Sequence, residues 1–334
     1  MDCKRSKKQS TIYKKERKLL LHMSTKMHKN TTEEVRKEEL SSLFDADTPQ
    51  LKDLNLSSNF LFGEVMWDEQ TSKDVLEIIL GKEIDKVVIV NKEQHMDIDQ
   101  KHKGVRLDVF LKDGKGTIYN IEIQVKNKYN IRRRSRHYQG VIDTKILPAG
   151  EINYNKLNDC YVIFICDFDL FKRGKYCYTF EERCLEVPDL ALEDGTRKIF
   201  LNMKGKNENE ANPELVEFLK YVKKTEDADF ESERMKRLAQ RVKHVKESRE
   251  VEARYMTMLI HDKEIEMDAR EEGIKEGKKE GIKEGRNAAN IENAQRMLLK
   301  DIQISLIMEI TDLPKEKVEK IKQEMIKKGE LKEK

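Results

Sequence analysis

The sequence predicts an α/β domain, a mixed β-sheet flanked by helices, followed by a long charged α-helix and a small helical tail. Three observations predict it. Two β-branched and aromatic runs, Val105–Phe110 and Thr117–Val125, alternate with rough period two and are joined by Asp113-Gly114-Lys115-Gly116, a hairpin signal. Tyr161–Asp167 is a continuous apolar run suited to a strand buried on both faces. Apolar residues at helical spacing recur between and beyond these runs. Composition sets the outer bounds. A chain of 334 residues accommodates one ordinary domain plus appendages, and 39% charged against 37% hydrophobic residues places substantial parts outside a packed core. A net charge of +3 requires any nucleic-acid affinity to come from local clusters.

Residues 1–50 form an extension to the domain, with Lys4, Arg5, Lys7, Lys8, Lys14, Lys15, Arg17, Lys18, Lys26 and Lys29 against Asp2 and Glu16 in the first 30. A disordered terminus is expected there, with a DNA-touching arm as the alternative. Leu19-Leu20-Leu21 is too short an apolar core for a signal peptide. The packed domain is expected over 51–225. Leu54–Gly81 carries two helical stripes broken around Trp67–Thr71, with Gly81 as the C-cap and Glu64 as an exposed helix residue, an acid lent to a neighbouring site being the alternative for Glu64. Lys86–Val90 reads as the first strand and Asn91–Gly104 as a polar loop over a cleft.

The hairpin follows. With its turn near Gly114–Lys115, residues whose numbers sum to about 230 oppose each other, so Asp108 faces Glu122. Directly opposed Cβ atoms lie about 4.5–5.5 Å apart. A single acid on a strand is ordinarily a solvated face residue; two at this separation repel unless a cation sits between them, and Mg²⁺ is held by one or two carboxylates plus phosphates and waters. Gln124 and Lys126 follow Glu122 at two-residue steps on the same face, while Ile121, Ile123 and Val125 mark the core face and leave the acidic face open. Arg132, Arg133, Arg134, Arg136, His137 and Tyr138 then open a helix running to about Leu147. That cluster suits phosphate groups, although an arginine-rich helix start is also an ordinary soluble surface. Its charge opposes the helix dipole, a cost that a nearby anion would offset.

Beyond the apolar strand, Tyr176–Phe180 and Lys198–Leu201 are short outlying strands, and Asn212–Lys223 starts a helix with Pro213. The stretch 226–286 is charged helix ending in EGIKEGKKEGIKEGR, whose Gly273, Gly277, Gly281 and Gly285 each cost a helix about 1 kcal/mol relative to alanine. A flexible tether is expected, with a close-packing seam between two helices as the alternative. In 287–330, Ala288–Leu299, Ile302–Ile310 and Pro314–Met325 read as three short helices, either a helix-turn-helix reader or a subunit-docking bundle through which the chain forms a homo-oligomer. Cys3, Cys160, Cys166, Cys177 and Cys184 show no CxxC spacing and fit reduced cytoplasmic thiols, not disulfides or zinc. No apolar run approaches the length of a membrane span.

Asp108, the Glu122-x-Gln124 step and the basic helix resemble the PD-(D/E)xK nuclease superfamily, most closely its recombination-promoting nuclease / transposase family. NFLFGEV (Asn59–Val65), GVRLDVFL, GTIYNIEIQ, RSRHYQGVID (Arg134–Asp143), YVIFICDFDLF (Tyr161–Phe171), YTFEERC (Tyr178–Cys184) and DGTRKIFLN (Asp194–Asn202) look like that family's blocks in order, over roughly residues 55–225. The resemblance implies a restriction-endonuclease-like core and a Mg²⁺-dependent DNA endonuclease, with Mn²⁺ able to substitute. Asp108 and Glu122 match its metal-binding acids, and Gln124 stands where lysine is most frequent in the superfamily. On this reading Asp108, Glu122 and the Ile123 carbonyl hold the metal. Gln124 orients the water, with Lys126 supplying charge, and Arg132, Arg133, Arg136 and Tyr138 hold DNA. A role in recombination or mobile-element activity rests on the resemblance alone. The rival expectation is a catalytically silent nucleic-acid-binding or assembly protein that retains the fold; a toxin-like or phage-defence effector would use the same chemistry.

Overall fold

Six strands form one mixed sheet in the computed structural model, which describes residues 48–96, 105–147 and 150–332. Strands β1 (Val87–Met96), β2 (Val105–Asp113), β3 (Ile118–Gln124), β4 (Cys160–Cys166), β5 (Cys177–Phe180) and β6 (Thr196–Asn202) lie in the order β1-β2-β3-β4-β6-β5. The first three are antiparallel, β3, β4 and β6 run parallel, and β5 closes the edge antiparallel to β6. This is the α/β architecture that the sequence predicts, consistent with the restriction-endonuclease-like core that the resemblance implies.

The turn fixes the register. Asp113 Oδ1 accepts from the amides of Lys115 (2.9 Å) and Thr117 (2.8 Å), and its Oδ2 from the Tyr119 hydroxyl at 2.8 Å. Gly116 takes φ +93°, a conformation that L side chains rarely adopt. Val109 consequently pairs with Ile121, Phe110 with Asn120 and Leu111 with Tyr119, the register expected from the turn position.

Helix α1 (Asn59–Val65) and helix α2 (Glu69–Leu80) precede the sheet; Asp68 caps α2 by accepting from the Thr71 amide, and Gly81 ends it at φ +64°. Helix α3 (Ile131–Ile146) follows β3 and lays Ile131, Tyr138, Val141 and Ile142 over Ile118, Val162, Phe164 and Phe200. Burying each such side chain stabilises by about 1.5–3 kcal/mol, so this helix is held firmly against the sheet. Helix α4 (Pro213–Lys223), capped by Asn212, packs on α2, and helix α5 (Glu233–Glu247), capped by Ser232, on both α1 and α2, while the start of helix α6 (Arg249–Leu299) meets α1 through Tyr255 against Phe60 and Arg254 against Glu64. Arg237 forks onto Asp74 at 2.7 and 2.8 Å, Arg234 reaches Glu77 at 2.8 Å and Arg254 reaches Glu64 at 2.8 Å. Glu64 is therefore a buried, paired carboxylate and not the exposed helix residue expected: helix α6, from far downstream in the chain, covers it.

Other expectations are corrected. The first strand continues through Asn91 to Met96, past a bulge between Ile89 and Asn91, because pairing with β2 satisfies the backbone whatever the side-chain polarity. The rest of the expected cleft loop, 97–104, and the basic extension up to residue 47 lie outside the described residues. The outlying Lys198–Leu201 strand belongs to β6, an interior strand, since a parallel crossover seats it beside β4. The four described cysteines, Cys160, Cys166, Cys177 and Cys184, are free thiols.

The chain divides into two units, one ending at Thr257 and the other beginning at Met258. In the second, Ala294 and Leu298 of α6 pack with Ile307 of α7 (Ile304–Thr311) and with Val318, Ile321 and Met325 of α8 (Lys315–Lys327). Gly273, Gly277, Gly281 and Gly285 lie inside the 51-residue α6, so the expected tether is helical and the expected Ala288–Leu299 helix is its end. Glutamate and lysine, good helix formers, alternate with these glycines and outweigh their cost. Among the described residues, no helix is long and apolar enough to cross a membrane.

Candidate functional site

Asp108 on β2 and Glu122 on β3 continue the observed register and share one face of the sheet. The Asp108 amide donates to Glu122 Oε1 at 3.2 Å, and the Ile123 amide donates to Asp108 Oδ2 at 3.3 Å. Asn120, two residues before Glu122 on the same face, donates from Nδ2 to Glu122 Oε1 at 3.3 Å. The acidic face is not open as expected. Helix α3 covers it, Glu122 is wholly buried, and Asp108 is half-buried. Ile121 and Ile123 do point to the other face, but both faces of β3 are core.

Arg134 completes the site. Its Nη2 donates to Glu122 Oε2 at 2.6 Å, its Nη1 to Gln124 Oε1 at 3.0 Å and its Nε to the Tyr138 hydroxyl at 2.7 Å. The guanidinium lies 4.9 Å from the Tyr138 ring centroid and 5.6 Å from that of Phe164, both favourable cation–π distances. Sequence reasoning places Arg134 in a phosphate-suited basic cluster and gives it no role of its own. The signal is nonetheless present: Ile131, Arg134, Ser135, Tyr138, Val141 and Ile142 form the inward stripe of a helix, while Arg132, Arg133 and Arg136 fall off it. Asn120 escapes sequence reasoning as well, hidden among strand residues.

The remaining predicted residues are placed as follows. Gln124 is engaged at both ends of its amide, with Nε2 donating to the Ile123 carbonyl at 2.7 Å, so it brackets Arg134 instead of standing free to orient a water. Lys126 stands exposed in a bend beyond β3; the strand ends at Gln124, and the two-residue rule that puts Lys126 on the acidic face lapses with it. Arg132 turns aside to the Leu170 carbonyl at 3.2 Å and over the Phe171 ring at 4.9 Å. Arg133 and Arg136 are exposed on the outer face of α3. Tyr138 is buried beneath Arg134, which corrects the expectation that it faces nucleic acid.

Electrostatics follow from this packing. Burial, and then the charge of Asp108, push the Glu122 carboxyl up to about 8, with Arg134 pulling the other way. Burial and Glu122 likewise push the Tyr138 hydroxyl up to about 12. A divalent cation suits such a pair of hard oxygen donors, whose mutual repulsion it would relieve. Asn120 Oδ1 is buried beside them with no hydrogen-bond partner among the described residues. No group of three or more His, Cys, Asp or Glu able to hold a metal ion occurs among those residues. The protein side of such a centre would be Asp108 and Glu122, with Ile123 offering the second lone pair of its carbonyl.

Next to the site, exposed cations gather at the carboxyl ends of the parallel strands. Lys126, Lys128, Arg133 and Arg136 follow β3, and Lys172 and Arg173 follow β4 in a loop that Arg132 ties to α3. Asp169 shapes this loop by accepting from the amides of Phe171, Lys172 and Gly174 and from the Tyr178 hydroxyl.

A family model described as PD-(D/E)XK nuclease family transposase matches residues 58–283. No curated protein and no solved structure matches the chain.

Proposed function

The chain belongs to the PD-(D/E)XK nuclease family transposases, and from that premise we propose that it is a Mg²⁺-dependent endonuclease that hydrolyses phosphodiester bonds of DNA. The observation that carries the proposal is the direct opposition of Asp108 and Glu122 on one sheet face, latched by two hydrogen bonds. Asp108 and Glu122 would hold the ion, with Mn²⁺ able to replace it. The chemistry a bound Mg²⁺ supplies is a more acidic water and neutralisation of charge on the phosphate. Glu122 is held by Arg134 and Asn120, and Asp108 by the Ile123 amide, so both acids are positioned before substrate arrives. Helix α3 and the Phe164–Phe200 stack, with centroids 5.7 Å apart, keep water from the inner side of Glu122. The exposed Lys126, Lys128, Arg133, Arg136, Lys172 and Arg173 would grip the phosphates flanking the scissile bond without regard to sequence.

A role in recombination or mobile-element activity and a cytoplasmic setting belong to the same proposal, as does a homo-oligomer formed through the C-terminal helices. The test is nicking of supercoiled plasmid with and without Mg²⁺. Asp108→Ala should abolish nicking while the protein stays folded, and unchanged nicking in that variant would remove the assignment. One observation favours a second reading, a catalytically silent nucleic-acid-binding or assembly protein: Gln124 is neutral and both ends of its amide are engaged within the protein. Titration of Mn²⁺ separates the two, since the silent protein takes up no metal that depends on Asp108.

A further inference from the structure

The family's motif, as its name is written, ends in lysine, whereas Glu122-Ile123-Gln124 ends in a neutral amide. Two acids and no strand-borne cation leave the site short of positive charge for a reaction that builds negative charge on phosphate. The cations around it differ in what they can reach. Lys126 is exposed past the end of β3, Arg132 is tied to Leu170, and Arg133 and Arg136 point off the helix. Arg134 alone among these bonds both Glu122 and Gln124, through separate nitrogens of one planar fork.

We propose that Arg134 is a positioning residue that brings to the strand end, from the following helix, the fixed positive charge that Gln124 does not carry. The proposal rests on the nuclease reading above and adds how that site is charged. The geometry makes Gln124 part of the device. Its Oε1 takes the second arm of the guanidinium, and its Nε2 is anchored on the Ile123 carbonyl, so the amide aims the arginine. A lysine at 124 would set an ammonium against that guanidinium. Tyr138 and Phe164 fix the third side of the fork. A guanidinium does not release its proton, so Arg134 takes no part in proton transfer. It orients Glu122 and sets a fixed positive charge beside the two acids.

The experiment uses the full chain and four variants: Arg134→Gln, Arg134→Lys, Gln124→Lys and the double variant Gln124→Lys/Arg134→Gln. Plasmid nicking in Mg²⁺ is resolved into kcat and KM, and DNA affinity is measured in Ca²⁺. Arg134→Gln should lower kcat by about 100-fold, the scale of one lost charge-stabilising group, with DNA affinity within about threefold of wild type because exposed cations carry that binding. Arg134→Lys should recover part of the loss. The double variant should exceed Arg134→Gln by about tenfold, since its lysine returns the charge to the strand, whereas Gln124→Lys alone should fall below wild type. An Arg134→Gln enzyme with wild-type kcat would overturn the proposal, as would a loss of DNA affinity matching the loss of rate. If Arg134→Gln does not fold, Arg134→Lys and Gln124→Lys decide instead; an Arg134→Lys enzyme with wild-type kcat or a Gln124→Lys enzyme at or above wild type counts against it. A wild-type chain with no Asp108-dependent nicking overturns the nuclease reading and this inference together; an active wild type with an indifferent Arg134 overturns the inference alone.

Discussion

The Asp108 amide donates to Glu122 while the Asp108 carboxylate accepts from the amide after Glu122, so the two acids are latched by each other's strand. Like charges held this way raise one another's proton affinity. Asp108→Asn removes one charge and keeps the shape. Metal uptake in a Mn²⁺ titration should be lost and nicking should fall to background. The melting temperature of the metal-free protein should hold or rise, because Glu122 is relieved of its neighbour.

Glu122 gives a pH prediction. Its carboxyl is raised from an ordinary 4.5 to about 8 in the fold, chiefly by burial and next by Asp108. A raised acid favours the protonated folded state. Its contribution to stability is therefore complete below about pH 4.5 and is lost as pH climbs through about 8. A tenfold difference in proton affinity between the folded and unfolded chain is worth about 1.4 kcal/mol, enough for a denaturant melt to resolve. Denaturant melts of the chelator-treated protein should show stability falling over that window. Glu122→Gln should flatten the slope and be more stable than wild type at the alkaline end, and added Mg²⁺ should reduce the slope in wild type. An identical slope in Glu122→Gln would assign the titration elsewhere.

These acids are legible in the sequence because a four-residue turn fixes a hairpin's register, and register in turn fixes which side chains face each other. Lys126 is misplaced by the same logic because alternation holds only while the strand lasts, and nothing local marks Gln124 as its end. Arg134 is harder. Its role depends on how α3 docks on the sheet, a tertiary fact that helical phase hints at but sequence spacing alone does not settle. The interior seat of β6 and the burial of Glu64 share that cause: both come from chain that packs in from far along the sequence. Propensity weighs the Gly-repeat one residue at a time, where cooperativity along a 51-residue helix decides.

Glu64 tests that long-range packing. It is 4% exposed, and Arg254 meets it with two nitrogens, at 2.8 and 3.2 Å. Arg254→Ala withdraws this partner from a buried carboxylate and should cost about 1–3 kcal/mol, less than a fully buried pair because Arg254 is partly exposed. Glu64→Gln should cost less than Arg254→Ala, and combining the two should recover part of the loss in a double-mutant cycle. Urea denaturation measures all three; strict additivity would mean that the pair contributes nothing specific.

The basic loop after β4 makes a separate prediction about DNA affinity. Lys172 and Arg173 are exposed and belong to a turn that Asp169 holds with four hydrogen bonds. If Lys172 meets a phosphate, Lys172→Ala should weaken binding alike on unrelated sequences. It should also reduce the slope of log affinity against log salt by about 0.9. Asp169→Ala releases the whole turn and should reduce that slope at least as much. Fluorescence anisotropy from low to moderate salt reads both, and a slope unchanged by either variant would place the DNA path elsewhere.

The glycines of α6 provide the last test. A Cβ built on Gly273, Gly277, Gly281 or Gly285 meets nothing within 4 Å, and all four are exposed. Within the described chain, alanine is therefore sterically free at each position and should stabilise the helix by about 0.5–1 kcal/mol per site, mostly by restricting the unfolded backbone. Amide hydrogen exchange across 270–288 should slow in the fourfold alanine variant, while exchange in the sheet stays as in wild type. The glycine spacing also allows two helices to approach closely, the seam that the sequence leaves open as an alternative. The same variant separates the two cases. If the glycines serve only this helix, exchange slows and the sedimentation behaviour is unchanged. If they form a seam with another helix, four added methyl groups hold the backbones apart, and any self-association of the wild-type chain weakens even as the isolated helix gains stability.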